Sequence, residues 1–269
     1  MAYSDVKGIC NLCLSEQQLQ KSHYLPRALY RLCRQNSRNP IVATPTVVEF
    51  SQKQMWKPLL CKECENLLSK CGEKYTLDLV HRGDRFSLLE RLKLAIPIGE
   101  SGNTPTYSGL QLGIKTDKLG YFALSLLWRG AQGPWRTIEG HTTEVSLGQY
   151  EEPIRQYLHG DSAWPANIAI VTTVCTDRGS QEWILPPWQN SSGFSAEKFM
   201  GIDQCIQLLV RGIWFHVLLG KIPEQITDWC CVKSPQKTLF KQDCTELLLM
   251  ECRHFLESAE DRTNASHLH

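Results

Sequence analysis

Apolar residues recur beyond residue 117 with the periods of helices. Residues 118–131, KLGYFALSLLWRGA, are apolar on most faces, which predicts a helix buried in a core. Residues 147–160, LGQYEEPIRQYLHG, predict an amphipathic helix that ends at Gly160. Residues 237–258, KTLFKQDCTELLLMECRHFLES, carry apolar residues at helical spacing and predict a final helix.

Three other segments have the pattern of strands. Residues 166–175, ANIAIVTTVC, contain the β-branched run of a buried strand. Residues 205–220, CIQLLVRGIWFHVLLG, predict two strands that meet at Arg211 and Gly212. Residues 41–50, IVATPTVVEF, alternate like a strand but contain Pro45, which favours a place at the edge of a sheet.

The N-terminal part has two further helix signals. A short helix is predicted from Pro26 to Arg34, because proline is favoured in the first turn and the polar run QNSRNP follows. Residues 59–81, LLCKECENLLSKCGEKYTLDLVH, predict a cysteine pair that leads directly into a second helix.

Residues 97–109, PIGESGNTPTYSG, concentrate Gly, Pro, Ser and Thr without periodicity, which predicts a domain boundary. We therefore expect an α+β protein, with an N-terminal module over residues 1–95 and a mixed α/β domain over residues 96–258. The second domain should contain four to six strands with flanking helices. The polar residues 259–269 predict a flexible tail.

The composition fits a folded protein of the cell interior. Of the 269 residues, 42% are hydrophobic, which is enough for a substantial core. The chain contains no apolar stretch long enough for a membrane span, and its N-terminus lacks the pattern of a signal peptide. We expect a cytoplasmic protein, in which the 12 cysteines serve in metal binding, catalysis or burial rather than in disulfides.

Positive charge is concentrated in the N-terminal part. Residues 1–93 carry 15 Lys and Arg against 9 Asp and Glu, although the whole chain has a net charge of only +1. Such an excess suits contact with phosphate backbones, and it also fits an ordinary solvated surface.

Two C-x-x-C pairs are the strongest chemical signal in the sequence. Each pair directs two thiolates toward one ion, and two pairs complete the tetrahedral shell of a structural zinc. The predicted ligands are Cys10, Cys13, Cys61 and Cys64. Four buried free thiols are the alternative, and Cys33 or Cys71 could replace one ligand. The other cysteines are interpreted as core or incidental residues: Cys175, Cys205, Cys230, Cys231, Cys244 and Cys252.

A zinc ion that joins the two pairs would bring the segments after them together. Ser22 and His23 follow the first pair, and the helix after the second pair begins near Glu65. Asn66, Ser69 and Glu73 would share a face of that helix, although Gly72 weakens it. An imidazole beside carboxylates suits general-base chemistry and the binding of a divalent cation. The alternative is a surface histidine and a solvated helix face.

These motifs resemble a known family. The order C-x-x-C, His-x-x-Pro, C-x-x-C and helix is similar to the zinc-bound form of the HNH endonucleases, whose ββα-metal core cuts nucleic acid. A closer resemblance, over most of residues 10–160, is to largely uncharacterised bacterial proteins with SH-x-x-P and LLC-x-x-CE motifs. Those proteins also have segments similar to LSLLWRGA and LGQYEEPIRQYL.

The resemblance implies roles for individual residues. His23 matches the general base that takes a proton from the attacking water. Glu65 stands where the family has a metal-binding histidine, and Ser22 stands where it has an acidic or histidine ligand. Glutamate suits Mg²⁺ or Mn²⁺, whereas serine is a poor ligand, so Glu73 is the candidate replacement. Asn66 completes the candidate catalytic set.

Arginines near the candidate site could bind nucleic acid. Arg27, Arg31 and Arg34 follow His23 at helical spacing, and Arg82 lies in a basic segment after the second helix. Arginines in such a stripe contact backbone phosphates without selecting a sequence. They are equally typical of a solvated helix face.

Together these features predict a metal-dependent HNH-like endonuclease that cleaves DNA, with a structural Zn²⁺ and a catalytic Mg²⁺ or Mn²⁺. The second domain would act in sensing, specificity or oligomerisation, through a second copy of the chain or a partner protein, and no membrane is involved. The resemblance suggests bacterial defence against phage. The alternatives are a non-catalytic zinc-dependent DNA-binding or scaffold protein with a degenerate core, and a protein-interaction module.

Overall fold

The computed structural model describes seven stretches of the chain: residues 6–33, 41–44, 47–50, 54–82, 85–136, 142–189 and 201–250. The side chains of residue 33 and of the stretches 41–44 and 47–50 are not among the described features. The candidate Arg34, the possible ligand Cys33, Cys252 and the predicted tail therefore lie outside what is described below.

The described elements are mixed helix and strand, as the predicted α+β class requires. The strands are β1 Lys7–Ile9, β2 Glu16–His23, β3 Ile41–Thr44, β4 Val47–Phe50, β5 Trp56–Cys61, β6 His81–Arg82, β7 Arg85–Phe86, β8 Gly99–Ser101, β9 Thr104–Ser108, β10 Trp135–Arg136, β11 Thr142–Thr143, β12 Ile168–Cys175, β13 Ile184–Gln189, β14 Ile202–Val210, β15 Ile213–Gly220 and β16 Thr238–Gln242. The helices are α1 Arg27–Cys33, α2 Lys62–Leu68, α3 Lys74–Leu79, α4 Ser87–Lys93, α5 Thr116–Ala131, α6 Glu151–His159, α7 Arg178–Glu182 and α8 Glu224–Thr227, with a π-helical segment at Ser69–Glu73 and a 3-10 turn at Gly148–Tyr150.

The N-terminal part contains a three-stranded antiparallel sheet in the order β1-β2-β5. In the β2–β5 pair, Leu19 lies opposite Cys61 and His23 lies opposite Trp56. Helix α2 begins directly after β5, and α1 follows closely after β2, as predicted. The pair of strands and α2 thus form a ββα unit, with Cys61 at the end of β5 and Cys64 in the first turn of α2.

Residues 41–50 differ from the prediction of a single interrupted strand. They form the antiparallel pair β3 and β4, with Ile41 opposite Phe50 and Thr44 opposite Val47. Pro45 lies between the two strands and outside the described residues. A proline cannot donate to a ladder of hydrogen bonds, so it separates two short strands more readily than it continues one.

The helix after the second cysteine pair runs from α2 through the π-helical segment into α3. Gly72 lies in the π segment, where an added Cβ would come 2.7 Å from the backbone nitrogen of Phe122. Only a residue without a side chain permits this approach, so Gly72 lets the π segment pack directly on the backbone of α5.

A seven-stranded sheet forms the larger part of the molecule, in the order β13-β14-β15-β12-β16-β9-β8. Strand β12 pairs parallel with β16, and the other neighbours are antiparallel. The β14–β15 hairpin turns at Arg211 and Gly212, both with positive φ, as a tight hairpin turn requires. This confirms the two strands predicted for residues 205–220 and the buried strand predicted for residues 166–175.

One sequence-based prediction for this sheet is wrong, and a segment without predicted secondary structure contributes two strands. Residues 97–109 contain the strands β8 and β9, and residues 238–242 form β16 in place of the first turns of a final helix. Helix follows only at residues 245–250. These additions raise the sheet to seven strands, above the four to six expected. Short apolar runs fit the period of a helix and also that of a strand. In residues 238–242, the pairing of β16 with β9 and β12 decides the structure.

Helix α5 lies between the two parts of the fold and is buried over nearly its whole length, as predicted. It contacts the π segment and α3 on one side, and β13 and β15 on the other. Its Phe122 ring lies 6.5 Å from the ring of Phe215 in β15. One cluster of buried side chains extends from Cys10 to Leu239 and includes residues from both proposed domains. The domain boundary itself stays a prediction.

Among the described residues, no helix combines the length and the apolar character that crossing a bilayer demands. The longest is α5, with 16 residues.

Candidate metal centre and polar cluster

The four predicted zinc ligands lie together. Cys10 and Cys13 flank the turn between β1 and β2, while Cys61 ends β5 and Cys64 lies in the first turn of α2. The four sulfur atoms are all within 4.8 Å of one another, and the sulfurs of Cys13 and Cys61 are 4.0 Å apart. Sulfurs in a tetrahedral zinc site, with Zn–S distances of about 2.3 Å, would lie about 3.8 Å apart. The cluster can therefore hold a metal ion such as zinc.

Backbone amides support the cysteine cluster. The amide of Cys61 donates to the sulfur of Cys10 at 3.3 Å, and the amide of Cys64 donates to the sulfur of Cys61 at 3.5 Å. A hydrogen bond from Cys64 and further bonds from backbone amides lower the pKa of Cys10, whereas burial raises the pKa of Cys61 and the hydrogen bond with Cys10 raises that of Cys64. Donors of this kind stabilise thiolates, which are the form of cysteine that binds metal.

The first cysteine pair is also connected to the second half of the chain. Arg155 of α6 donates to the carbonyl oxygen of Leu12, and Asn11 Nδ2 donates to Gln132 Oε1 at 2.8 Å. Gln132 in turn donates to Glu151 at 2.8 Å. These contacts fix the loop that carries Cys10 and Cys13 against the ends of α5 and α6.

Ser22 lies at a strand contact. Its side chain is fully buried, and its hydroxyl accepts a hydrogen bond from the amide of Leu60 at 3.1 Å. The hydroxyl thus joins β2 to β5 one residue before His23. A role of Ser22 as a metal ligand stays a prediction.

His23 ends β2 and is half-buried. Burial lowers the pKa of its imidazole below the ordinary value, and the positive charges of Lys21, Arg27 and Arg129 lower it further. The ring is therefore neutral near pH 7. A neutral imidazole can accept a proton, as a general base must.

Glu65 lies in the first turn of α2 and forms an ion pair with Arg129 of α5. Arg129 Nη2 lies 3.2 Å from Glu65 Oε2, and the two side chains are 3% and 27% exposed. Two further atoms of the pair, Arg129 Nε and Glu65 Oε1, are buried and have no hydrogen-bond partner within the described part of the chain. Buried polar atoms are rarely unpaired, so this pair is a candidate binding site.

Glu73 is the second carboxylate of this cluster and is half-buried in the π segment. Burial raises the pKa of Glu73, the positive charge of Arg129 lowers it, and the negative charge of Glu65 raises it. Arg129 therefore acts on His23, Glu65 and Glu73, and these four side chains form what we call the polar cluster.

The π segment explains why Glu65 and Glu73 act on each other. Eight residues of a regular α-helix would leave their side chains about 80° apart around the axis. A π turn accommodates about one extra residue, which reduces that difference to about 20°. The predicted face of Asn66, Ser69 and Glu73 assumed a regular helix, and Asn66 is in fact exposed. Its catalytic role stays a prediction.

Arg129 was not among the residues selected from the sequence. It lies in the segment LSLLWRGA, which was interpreted only as a buried helix. The available signal was a single arginine in a helix with apolar residues on most faces, because a charge there requires a partner.

The arginines proposed for nucleic-acid binding have different environments. Arg27 and Arg31 are exposed and lie four residues apart on α1. Arg82 is partly engaged, because its Nη2 lies 3.2 Å from Asp78 and its Nε donates to the carbonyl oxygen of Leu77 at 2.7 Å. Binding of nucleic acid by any of them stays a prediction.

Comparison with known protein families, with curated proteins and with solved structures found no match to this chain. The resemblance to HNH endonucleases therefore depends on the motifs quoted above.

The charge environment of His23 predicts a measurable titration. We expect its imidazole to titrate below the ordinary histidine pKa of about 6.5. Replacing Lys21 by glutamine removes a positive charge that opposes protonation, so the midpoint should move to higher pH. The measurement is an NMR titration of the His23 ring protons. Lys7→Gln, an exposed change on β1, should leave the midpoint in place. An unshifted midpoint in Lys21→Gln would contradict the assigned electrostatics.

Proposed function

We propose that this protein is a zinc-stabilised, metal-dependent endonuclease of HNH type that cleaves DNA phosphodiester bonds. The observation that carries the proposal is the polar cluster. In this cluster Arg129 pairs with Glu65 at 3.2 Å, and its charge acts on the neutral imidazole of His23 and on Glu73. Glu65 directly follows Cys64 of the four-cysteine centre.

His23 would act as the general base. Because its ring is neutral near pH 7, it can take a proton from a water molecule that attacks the scissile phosphorus. The position of His23 opposite Trp56 at the end of the β2–β5 pair fixes the backbone of the base on a sheet rather than on a loop. Ser22 would contribute by holding that end of the sheet together.

Glu65 and Glu73 would hold Mg²⁺ or Mn²⁺. The donor set fits these ions, because they favour oxygen ligands and Glu65 Oε1 is a buried oxygen without a hydrogen-bond partner in the described residues. When bound, such an ion polarises a phosphoryl oxygen and stabilises the charge that develops on it. Arg129 limits the excess of negative charge between the two carboxylates.

The positive charges around His23 would favour a polyanionic substrate. Lys21, Arg27 and Arg129 all act on the imidazole, and Arg27 and Arg31 are exposed on α1, which follows His23 in the chain. Contacts of this kind with phosphates supply affinity without sequence selection. The seven-stranded part of the molecule would then serve in sensing, specificity or assembly, and a role in defence against foreign DNA is part of the proposal.

One observation favours a second candidate, a zinc-dependent DNA-binding or scaffold protein without cleavage. The guanidinium of Arg129 already pairs with one carboxylate oxygen of Glu65, and a catalytic cation would bind the same carboxylate. In that case Arg129 replaces the cation, and the polar cluster serves only to join α2 to α5.

The test compares three proteins on supercoiled plasmid DNA with Mg²⁺ or Mn²⁺. They are the wild type, His23→Ala and the control His159→Ala, which changes a partly exposed histidine at the end of α6. An endonuclease should nick plasmid in the wild type and the control, and His23→Ala should lose at least about 100-fold in rate. Equal gel shifts of all three without nicking would support the second candidate. Absence of both DNA binding and nicking in the wild type would favour the remaining alternative, a protein-interaction module.

A further inference from the structure

A second group of potential metal ligands lies in the larger sheet, away from the four-cysteine centre. Cys175 is the last residue of β12, Asp177 precedes α7, and Cys244 precedes the helical residues 245–250. Their two sulfur atoms and a carboxylate oxygen are all within 4.8 Å of one another. From the sequence alone, both cysteines were interpreted as core or incidental residues without ligand partners at useful spacing.

The surroundings of the group are mostly apolar. Cys175 and Cys244 are 0% and 1% exposed, and they belong to a separate buried cluster with side chains from three strands and the last helical segment. The apolar members are Leu185, Trp188, Leu209, Trp214 and Leu248. Thiols alone would be ordinary core residues here. A carboxylate that lies against two sulfurs is not an ordinary core feature, because a charge next to an apolar core needs compensation.

Backbone amides hold the carboxylate of Asp177 in place. Its Oδ1 accepts from the amide of Ser180 at 2.7 Å, and its Oδ2 accepts from the amide of Cys244 at 2.9 Å. Each carboxylate oxygen has a second lone pair, so both bonds are compatible with a metal bond. Hydrogen bonds of this type orient ligands in known metal sites. In addition, the buried hydroxyl of Ser180 lies close enough to Cys175 to act on its thiol through a side-chain hydrogen bond.

We propose that Cys175, Asp177 and Cys244 bind a second zinc ion. Two thiolates and one carboxylate are ligands that zinc accepts, and they leave one position of a tetrahedral shell for water or the Ser180 hydroxyl. Three ligands from separate elements would connect the end of β12, the start of α7 and the start of the last helical segment. The site is independent of the proposed nuclease function, since none of its residues belongs to the polar cluster.

The test is the zinc content of the full-length protein, measured by elemental analysis after expression with Zn²⁺ and gel filtration without chelator. The wild type should contain two zinc ions per chain. Cys244→Ser and Cys64→Ser should each contain one, because each removes a ligand of a different site. Cys205→Ser is the matched control, since Cys205 is a buried cysteine of the same sheet and outside the group, and it should keep two.

A gentler variant addresses the chance that Cys244→Ser fails to fold. Asn is as good as Asp at the start of a helix, so Asp177→Asn should keep the bond from the Ser180 amide and fold. It loses the bond from the Cys244 amide, and its side chain no longer supplies an anionic ligand. Titration of the metal-free protein with Co²⁺ should give thiolate-to-metal absorption from two sites. In Asp177→Asn, the Co²⁺ affinity of one site should fall at least tenfold.

Two outcomes would overturn the proposal. One is a single zinc ion in the wild type that only Cys64→Ser removes. The other is a disulfide between Cys175 and Cys244, which would appear as two thiols fewer than the 12 cysteines when protein purified without reductant is titrated in denaturant.

Discussion

Replacing Cys64 by serine is expected to abolish zinc binding at the four-cysteine centre and to destabilise the N-terminal part. Structural zinc sites contribute about 10 kcal/mol or more of binding free energy, which is comparable to the whole stability of a domain. The ion would hold the β1–β2 turn to the start of α2, and the 48 positions that separate Cys13 from Cys61 make this a long closed loop. Thermal unfolding followed by circular dichroism should show a midpoint at least about 10 °C lower.

Cys71→Ser is the control for this prediction. Cys71 lies on the same helical stretch and packs against the core, but it is not one of the four clustered sulfurs. Its replacement should leave zinc binding intact and change the midpoint by only a few degrees. A Cys64→Ser protein that retains its zinc, or that unfolds at the wild-type temperature, would show that the four sulfurs do not bind an ion together.

The four-cysteine cluster could be predicted from the sequence because its signal is local. Each C-x-x-C pair directs two sulfurs toward one point, whatever the rest of the chain does. The strands β12, β14 and β15 and the helix α5 were predictable for a related reason, since their apolar runs are long and strongly patterned. The ion itself remains a prediction of this pattern and of the geometry.

The polar cluster was only partly predictable. His23 and Glu65 follow the two cysteine pairs, and so their approach could be inferred. The place of Glu73 depends on the π segment, which in turn depends on the packing of Gly72 against α5. Arg129 comes from a helix 64 positions further along, and no local pattern shows that its charge meets Glu65.

The absence of a local signal also explains the wrong helix prediction in the seven-stranded sheet. Residues 238–242 have apolar positions that suit a helix, yet they lie between β9 and β12 and complete a ladder there. The group at Cys175, Asp177 and Cys244 arises from this arrangement, because β16 ends just before Cys244 and pairs with the end of β12. A helix at residues 237–243 would not have created it.

Replacing Arg129 by methionine should have the second-largest effect on stability, because it removes the positive charge shared by two glutamates. Breaking a buried ion pair typically costs about 3–5 kcal/mol, and the 27% exposure of Glu65 favours the lower end of that range. Glu65→Gln should cost less, since Arg129 keeps the charge of Glu73 as a partner. The free energies of unfolding can be compared by urea denaturation.

The double variant Arg129→Met with Glu65→Gln tests the coupling directly. It should be more stable than Arg129→Met alone, because the neutral glutamine leaves one buried charge fewer without a partner. Arg178→Met is the control, since Arg178 and Glu182 form an exposed ion pair, with 83% and 40% exposed side chains, whose loss should cost less than about 1 kcal/mol. If Arg129→Met is as stable as this control, Arg129 does not hold the carboxylates.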